Sequence, residues 1–351
     1  MKFTIARQDL TKALAKVSRV VESRNTIPIL GYLLISANAE NITITGTDLS
    51  ISATSHADAK ITTQGSVCVD ARLINDIAKK AGDVNISFDV DGSKLILKSG
   101  RSKFTLETLP ATDFPVMTDN DYVATFNLDI AALFAPVAFA MSNEAQRYYL
   151  NGIFFHVADG YATAVATNGH RLAKNTGPEL QEIPEVIVPS KAISIIPKGE
   201  VEVSISDRKI KFVSPDFTMI TTLIDGTYPD YRRVIPTANS KIAFVDKEEF
   251  MRAADRVVTV SKERARAVKL SLANGSISFS ARSDAGTAND EVEAKYSDEP
   301  MSIGINSQYL RDMFAVLPAG EVKMQFNDAN APVLVSGLVD GWIGILMPTR
   351  V

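Results

Sequence analysis

The 351-residue sequence contains little of several residue types: one cysteine, one tryptophan and three histidines, with a net charge of −4. Because Cys68 is the only cysteine, an intrachain disulfide is excluded, as expected in a reducing compartment. The N-terminal residues include charged side chains and no apolar core, so no signal peptide is predicted. The longest apolar run, residues 130–141, is too short to cross a bilayer and contains Pro136. We therefore expect a cytoplasmic protein.

Motifs of catalysis are also absent: there is no glycine-rich phosphate loop, no HExxH, no CxxC and no GxSxG. The histidines His56, His156 and His170 lack the spacing of metal ligands, so no metal and no cofactor are predicted. An enzyme site around His170, Arg171 and Asp48 would need a carboxylate beside His170, and no local residue supplies one. The sequence therefore favours a protein that is not an enzyme.

The sequence does contain a threefold repeat with a long period. A short apolar strand leading into a helical pattern recurs at residues 3–10, 126–129 and 244–246. A second marker, a strand end leading into a helix, recurs at residues 69–72, 188–191 and 305–308, at offsets of 119 and 117 residues. A unit of this length is a whole domain rather than a solenoid turn. Three copies of a domain without a repeated catalytic motif indicate a scaffold.

Each copy of the repeat has the same pattern of elements. A strand precedes a helix, residues 9–21 in the first copy, then come alternating strands, a second helix at residues 72–81, and further strands. The fold class predicted is α+β, three tandem domains of two helices on an antiparallel sheet. Turn and proline residues at 112–115 and 227–230 mark the boundaries, which gives domains 1–118, 119–240 and 241–351.

Two segments of the middle copy predict a surface pocket. The segment 147–152 contains adjacent tyrosines, and in a strand one of the two would be exposed. An exposed aromatic beside an apolar leucine is a candidate hot spot for a peptide. The segment 168–172 has two interpretations. It either lines the same pocket, or it only forms a turn after the strand 163–166 and His170 caps that turn or packs against it.

Taken together, these residues show that the chain resembles the bacterial replicative sliding clamp family, the β subunit of DNA polymerase III. The matching blocks run in order along the whole chain, at residues 28–31, 45–49, 99–102, 147–152, 169–173, 188–189, 228–233 and 347–351. The resemblance implies the DNA clamp fold and a head-to-tail homodimeric ring around duplex DNA. Such a ring needs only sliding phosphate contacts, and it tethers a polymerase at high effective concentration. A protein-interaction scaffold that does not encircle DNA is the alternative.

In this family the helices face the DNA, so basic residues on them are expected to line the hole. The DNA-facing residues predicted are Lys12, Lys16, Arg19, Arg24, Arg72, Lys79, Lys80, Lys191, Lys198, Arg252 and Arg256. Arg311, in the second helix of the third domain, carries the same kind of charge. The middle domain departs from the pattern, since its first helix, residues 128–141, has no basic residue and Pro136 should kink it. Lys191 and Lys198 are assigned to its second helix.

The resemblance also implies a pocket that receives a short motif, in which hydrophobic residues follow a glutamine. The motif would belong to the replicative polymerase, the clamp loader and repair polymerases. The main subsite would be formed by Leu150, Thr167, Gly169, His170, Arg171, Leu172, Pro236, Ile345 and Met347. The second subsite would be formed by Tyr148, Tyr149, Pro348, Thr349 and Arg350. Thr349 stands where methionine is common, and Asn168 where aspartate is usual, so motif preference is expected to differ.

The dimer interface implied by the resemblance joins the first domain of one protomer to the third domain of the other. We expect Phe104, on a terminal strand of the first domain, to be its anchor. Val258 and Val260, assigned to the first helix of the third domain, are the expected acceptors. Contacts of this heterologous kind close into a ring.

Overall fold

A computed structural model of the chain describes residues 1–22, 26–118, 121–260, 267–337 and 340–350. Within them lie twenty-five β-strands, six α-helices and six short 3-10 helices. The first third contains β1 (Lys2–Ala6), α1 (Arg7–Val17), β2 (Tyr32–Ala37), β3 (Asn41–Thr47), β4 (Ile51–Asp58), β5 (Lys60–Thr63), β6 (Gly65–Asp70), α2 (Ala71–Lys80), β7 (Asn85–Asp91), β8 (Lys94–Ser99) and β9 (Ser102–Leu109).

The other two thirds repeat this order without a counterpart of β5. The middle third contains β10 (Ala124–Leu128), α3 (Ile130–Phe134), β11 (Gly152–Ala158), β12 (Tyr161–Thr167), β13 (Arg171–Glu179), β14 (Val186–Pro189), α4 (Ser190–Ile193), β15 (Val201–Ile205), β16 (Lys209–Ser214) and β17 (Phe217–Thr222). The last third contains β18 (Lys241–Asp246), α5 (Lys247–Val257), β19 (Ala267–Ala273), β20 (Ser276–Ser283), β21 (Gly286–Lys295), β22 (Met301–Asn306), α6 (Ser307–Ala315), β23 (Glu321–Phe326), β24 (Val333–Ser336) and β25 (Trp342–Leu346). The predicted α+β class with a threefold repeat is confirmed.

The strands form two antiparallel sheets, each within one of two compact units. The first unit comprises Met1–Ala131 and Lys191–Leu223, and the second comprises Ala132–Ser190 and Ile224–Val351. The thirteen-stranded sheet has the order β10-β15-β16-β17-β4-β3-β2-β6-β9-β8-β7-β1-β5. The twelve-stranded sheet has the order β14-β11-β12-β13-β25-β24-β23-β18-β21-β20-β19-β22.

Successive thirds are joined by the same strand pairing. The last strand of one third pairs with the fourth strand of the preceding third, so β17 pairs with β4 and β25 pairs with β13. The registers agree, because Ile51 lies opposite Thr221 and Arg171 lies opposite Leu346. Each unit therefore contains one junction of the same construction.

The helices follow from apolar spacing and capping. In α1, Leu10, Leu14 and Val17 lie at i, i+4 and i+7 and are fully buried. The Asp70 carboxylate accepts a hydrogen bond from the Leu73 N–H at the start of α2. The corresponding Asn306 caps α6 through the N–H groups of Gln308 and Tyr309. The residue at this position in the middle third is Pro189, which has no acceptor side chain, and α4 spans only Ser190–Ile193.

The predicted first helix of the middle third, residues 128–141 with a kink at Pro136, is wrong. The helix α3 ends at Phe134, two residues before Pro136, and a separate 3-10 helix spans Ala138–Ala140. A proline disfavours helical geometry in the preceding residue and clashes with the carbonyl four residues earlier. A helix barely longer than one turn ends at such a point instead of bending. The predicted assignment of Lys198 to the second helix is also wrong, because α4 ends at Ile193.

Candidate functional site

The candidate site centres on the turn between β12 and β13. The Thr167 hydroxyl donates to the Arg171 carbonyl at 2.7 Å and accepts from the Gly169 N–H at 3.1 Å. The Asn168 side-chain oxygen accepts the N–H groups of His170 and Arg171, each at 3.0 Å. An aspartate carboxylate accepts hydrogen bonds in the same way. Asparagine here therefore keeps the turn and removes only the charge.

Glycine is favoured at position 169 of this turn. Its φ is +86°, in the left-handed region that side chains rarely adopt, and a Cβ there would lie 2.9 Å from the Arg147 guanidinium. Arg147 also donates to the Asn168 carbonyl at 3.4 Å. The turn is thus held against the segment that carries Tyr148 and Tyr149.

An apolar cluster lies beneath this turn. Its buried members are Leu150, Phe154, Val165, Leu172, Ile187, Tyr228, Tyr231 and Ile345. Three predicted pocket residues, Leu150, Leu172 and Ile345, are therefore brought together, at 5%, 2% and 1% exposure. They form the floor of a site and not its accessible rim.

The rim is formed by more exposed predicted residues. Tyr148 is 54% exposed and Met347 is 38% exposed. The Met347 N–H donates to the His170 carbonyl at 2.9 Å, and the Thr349 N–H donates to the Gly304 carbonyl at 2.9 Å. These bonds hold the C-terminal segment beside the turn. Of the remaining predicted residues, Pro236 and Pro348 are partly buried and Arg350 is exposed.

The side chain of Arg171 is held in a contact separate from the residues of the apolar cluster. Its guanidinium lies 5.2 Å from the Phe139 ring centroid and 4.7 Å from that of Tyr309, and it pairs with Asp312 at 2.5 Å. It also donates to the Phe139 carbonyl. With the side chain only 10% exposed, Arg171 contributes its backbone to the turn and its charge to a buried contact.

The prediction that Tyr148 and Tyr149 lie in a strand is wrong. Both belong to a 3-10 helix, Ala145–Leu150. Their rings are 5.8 Å apart at 80°, with Tyr148 exposed and Tyr149 packed against the apolar cluster. One of the two tyrosines is exposed, as expected. The cause is that successive residues of a helix point in different directions, and not that the residues of a strand alternate between two faces.

Four residues of this region were not identified from the sequence as part of the site. Phe154 stacks on Tyr228 with centroids 4.7 Å apart, and the Tyr231 hydroxyl lies 3.2 Å from His156 Nε2. The sequence signal was present in residues 228–231, where two tyrosines flank proline and aspartate. In the prediction that segment served as a boundary marker and as one of the blocks of the family resemblance, but not as part of the site.

His156 gives this cluster a pH dependence. Burial, with the charges of Arg232 and Lys174, lowers the pKa of His156 below 6.5, although a hydrogen bond with the Val157 carbonyl opposes this. As the pH falls, His156 is therefore protonated in the unfolded state before it is protonated in the folded state. Its contribution to the free energy of unfolding is fully present above the unfolded pKa of 6.5 and declines below that pH. We expect wild type to lose up to about 1.4 kcal/mol per pH unit there, and His156→Gln to lose less. Urea denaturation at about pH 7.5 and about pH 5.5 measures the difference. Equal losses in both proteins would contradict this role.

The first third contains the same turn with different surroundings. The Thr47 hydroxyl donates to the Ile51 carbonyl at 2.9 Å, and the Asp48 carboxylate accepts the Ser50 and Ile51 N–H groups. The Thr222 N–H donates to the Ser50 carbonyl, as Met347 does to His170. The strand registers place Thr45 and Ser52 where the middle third has Val165 and Leu172. Two apolar positions of the cluster are therefore polar in this copy.

Asp48 instead binds Lys191 at the N-terminal end of α4, and Lys191 also contacts Glu22 at 2.7 Å. Burial raises the pKa of the Asp48 carboxyl, but hydrogen bonds from Lys191, Ile51 and Ser50 outweigh it and leave the pKa below its ordinary value. Lys191, predicted to face DNA, is therefore held by two carboxylates.

The other predicted DNA-facing residues fall into two groups. Lys16 pairs with Asp216 at 2.5 Å, Arg252 with Glu248 at 4.0 Å, and Arg256 with Asp290. No ion pair holds the second group within the described ranges, and its members are all exposed: Lys12, Arg19, Arg72, Lys79, Lys80 and Lys198. Arg19 donates to the Ser194 carbonyl at 3.0 Å. Arg24 lies outside the described residues.

The residues predicted for a dimer interface lie on two separate elements. Phe104 is partly buried on β9. The assignment of Val258 and Val260 to the first helix of the last third is wrong, because α5 ends at Val257 and a 3-10 helix spans Val258–Val260. Val258 is only 8% exposed, so Val260 is the more accessible of the two.

Two strands inside the sheets, β9 and β21, leave most of one side unpaired in the part of the chain that the structure describes. β9 pairs with β8 from residue 102 to 107, but with β6 only at Thr108 and Leu109. β21 pairs with β20 from residue 286 to 293, but with β18 only at Ala294 and Lys295. An open edge of this length presents unpaired N–H and C=O groups to another strand.

The described residues carry no metal centre and no membrane span. No group of three or more His, Cys, Asp or Glu side chains is arranged to hold a metal ion there. None of the described helices has the length and apolar character needed to span a membrane. His170 stacks on Tyr309 with centroids 6.1 Å apart.

Comparison with known proteins gives one consistent result. Family models described as the N-terminal, central and C-terminal domains of the DNA polymerase III beta subunit match residues 1–118, 128–230 and 232–350. The chain is 40% identical over 372 aligned positions to a beta sliding clamp of Caulobacter vibrioides, with both chains fully covered. A crystal structure of the Bartonella birtlesii sliding clamp bound to griselimycin is 37% identical, with a TM-score of 0.96 and full coverage of both chains. A Pseudomonas aeruginosa sliding clamp bound to griselimycin is 33% identical, with a TM-score of 0.95 and full coverage of both.

Proposed function

Because the chain belongs to the DNA polymerase III beta subunit family of DNA sliding clamps, we propose that two copies form a closed ring around duplex DNA. The protein is a processivity factor and not an enzyme. A closed ring cannot leave circular DNA without opening, so it holds a polymerase there without sequence-specific binding. We place its domains at 1–118, 119–240 and 241–351 and its site of action in the cytoplasm.

The observation that carries the homodimer is the pair of open edges on β9 and β21. β9 is the last strand of its third, as β17 and β25 are of theirs, and β21 is the fourth strand of its third, as β4 and β13 are of theirs. At the two junctions within the chain, a last strand pairs with a fourth strand: β17 with β4 and β25 with β13. A head-to-tail contact between protomers would give β21 the partner that its counterparts already have. The edges also differ in charge: β21 contains three acidic residues and Lys295 and is net acidic, whereas Lys103 and Glu107 balance on β9.

The repeat fixes the register of this contact. Ala53 lies opposite Met219 in the first unit, and Ala173 opposite Gly344 in the second. Residues 70, 189 and 306 are equivalent positions of the three copies. When the strand pairs are followed from each of them, Ala288 falls at the position equivalent to Ala53 and Ala173. When the β8–β9 hairpin is aligned with the β16–β17 hairpin, Phe104 falls at the position of Met219. Ala288 of one protomer should therefore face the partner subunit's Phe104, with Val260 nearby.

Cross-linking tests this register, because the single native cysteine is buried. The double variant Phe104→Cys/Ala288→Cys should form a covalent dimer under mild oxidation, since opposite residues in an antiparallel pair lie within disulfide reach. The control Glu107→Cys/Ala288→Cys displaces one cysteine by three positions and should remain uncross-linked. Non-reducing electrophoresis distinguishes them. Equal cross-linking of both variants, or cross-linking of the control alone, would contradict the register.

The apolar cluster supports the second part of the proposal, a pocket for the hydrophobic motif of a polymerase, clamp loader or repair polymerase. Its floor is preformed by Leu150, Leu172 and Ile345, and its rim offers exposed Tyr148 and Met347. Apolar floors with aromatic rims are typical of hot spots in interfaces. The first third provides an internal comparison, since polar Thr45 and Ser52 stand there in place of Val165 and Leu172. We therefore assign one pocket to each chain.

A retention assay tests encirclement directly. The protein is loaded onto a nicked plasmid by a clamp loader, sized in high salt, and the plasmid is then linearised. We expect retention on the circle and release after linearisation, because salt removes phosphate contacts but not a topological link. Release from the circle by salt, with loading shown to be competent, would contradict the ring and favour a scaffold that does not encircle DNA.

A further inference from the structure

The six α-helices form three pairs by their place in the repeat, and the pairs differ in charge. The helices α1 and α2 together contain six basic and two acidic residues. The pair α3 and α4 contains one basic residue, Lys191, and no acidic one. The pair α5 and α6 contains four basic and four acidic residues. A basic surface on the helices is therefore not repeated with the fold.

Three of the four cations on the helices of the last third are held by carboxylates, and the fourth, Lys247, donates to the Leu317 carbonyl. Arg311 pairs with Asp255 at 2.9 Å, Arg252 with Glu248 at 4.0 Å, and Arg256 with Asp290. Surface pairs like these contribute little to stability, so a phosphate could displace them. The carboxylates would remain beside the phosphate, however, and repel it. Attraction and repulsion therefore nearly cancel on this helix pair.

The middle third and α1 are also partly neutralised. Lys191 is held by Asp48 and Glu22. Lys16 pairs with Asp216 at 2.5 Å. Lys12 has no ion pair in the described chain, but it lines a groove that also contains acidic side chains, Asp9, Asp58 and Asp216. The positive field at these positions is accordingly weak.

The helix α2 differs from all the others. Arg72, Lys79 and Lys80 are exposed and take part in no ion pair within the described residues. Asp76 is the one acidic residue in the helix. Three such cations on ten residues form a compact basic patch, which suits the phosphate backbone of a duplex.

From these charges we infer that the grip on DNA is concentrated on α2 of each protomer, and that the helices of the last third contribute little to it. The inference rests on the proposed function, since it assigns the phosphate contacts of the proposed ring. The ring would then hold the duplex strongly at two places instead of evenly around its inner surface.

The salt dependence of DNA binding tests this. Fluorescence anisotropy of a short labelled duplex, titrated at several salt concentrations, gives the slope of log K against log salt. Lys79→Gln/Lys80→Gln should reduce the magnitude of this slope by about 3.6 per ring, because the variant removes two lysines from each of two protomers and each phosphate that a lysine neutralises adds about 0.9 to the slope. Arg252→Gln/Arg256→Gln removes the same charge and serves as the matched control, with an unchanged slope expected. An equal fall in both variants, or no fall in the α2 variant, would overturn the inference.

A second measurement separates this result from the proposed function. All variants are loaded onto nicked plasmid and sized in high salt, where retention depends on the topological link and not on phosphate contacts. Retention of every variant together with the expected slopes supports both proposals. Loss of retention in wild type contradicts the ring itself. Glu248→Gln/Asp255→Asn should steepen the slope, because it removes the repelling carboxylates, and an unchanged slope would contradict the neutralisation described for the last third.

Discussion

Replacing Arg171 with alanine should destabilise the second unit by about 3 kcal/mol, among the largest effects of any single substitution in the chain. The guanidinium is sandwiched between Phe139 and Tyr309 and pairs with Asp312. Its removal leaves Asp312, only 31% exposed, without its cation, and it opens a gap between two rings. Urea denaturation followed by fluorescence or circular dichroism measures the change.

Two further variants sharpen this test. Arg233→Ala removes an arginine that is 85% exposed and paired with Asp230, and it should change stability by less than about 0.5 kcal/mol. Arg171→Lys keeps the charge but not the planar group that stacks on aromatic rings, so it should restore only part of the loss. A loss below about 1 kcal/mol for Arg171→Ala would show that the sandwich is dispensable.

Deleting residues 347–351 should abolish binding of a partner peptide while leaving the dimer intact. The deletion removes Met347 from the rim and two hydrogen bonds that hold the C-terminal segment, to His170 and Gly304. Loss of an interface hot spot costs about 2 kcal/mol or more, so the combined loss should exceed about 30-fold in Kd. Anisotropy of a labelled peptide with hydrophobic residues after a glutamine measures the affinity.

Size-exclusion chromatography of the same truncation checks the dimer, which in our proposal depends on β9 and β21 and not on the C-terminal segment. Met347→Ala alone should reproduce much of the loss in peptide affinity. Val84→Ala, a truncation of a 73% exposed apolar residue in the other unit, is the matched control and should leave affinity unchanged. Loss of the dimer in the truncation would assign the segment a structural role, and unchanged peptide binding would contradict the pocket.

The fold could be predicted because its signal is repeated. The strand-to-helix markers at residues 70, 189 and 306 recur at nearly constant spacing, and each begins a helix in the structure. The length of those helices was harder to predict, since it depends on single residues. Asp70 and Asn306 cap α2 and α6, whereas Pro189 provides no cap and Pro136 ends α3 early.

The site was predicted only in part, because tertiary contacts decide the direction of long side chains. Leu172 and Ile345 lie opposite each other on neighbouring strands and share one face, and Leu150, at the end of a 3-10 helix, joins the same cluster. Arg171 follows the same segment, yet its guanidinium is drawn toward Phe139, Tyr309 and Asp312, which are distant in sequence. Nothing local in the sequence indicates that contact.

The polar replacement at Thr45 and Ser52 has a consequence for how partners share the protein. The fold offers the same turn in two thirds, but only the middle third has apolar side chains at both positions, Val165 and Leu172. A ring of two chains would then carry two equivalent docking positions instead of four. With two docking sites in the proposed ring, a polymerase and a repair enzyme would compete for the same pockets. The occupancy of each pocket would then follow the relative abundance and residence times of the partners. The order in which partners act on the DNA would be set by the kinetics of binding at one small apolar surface.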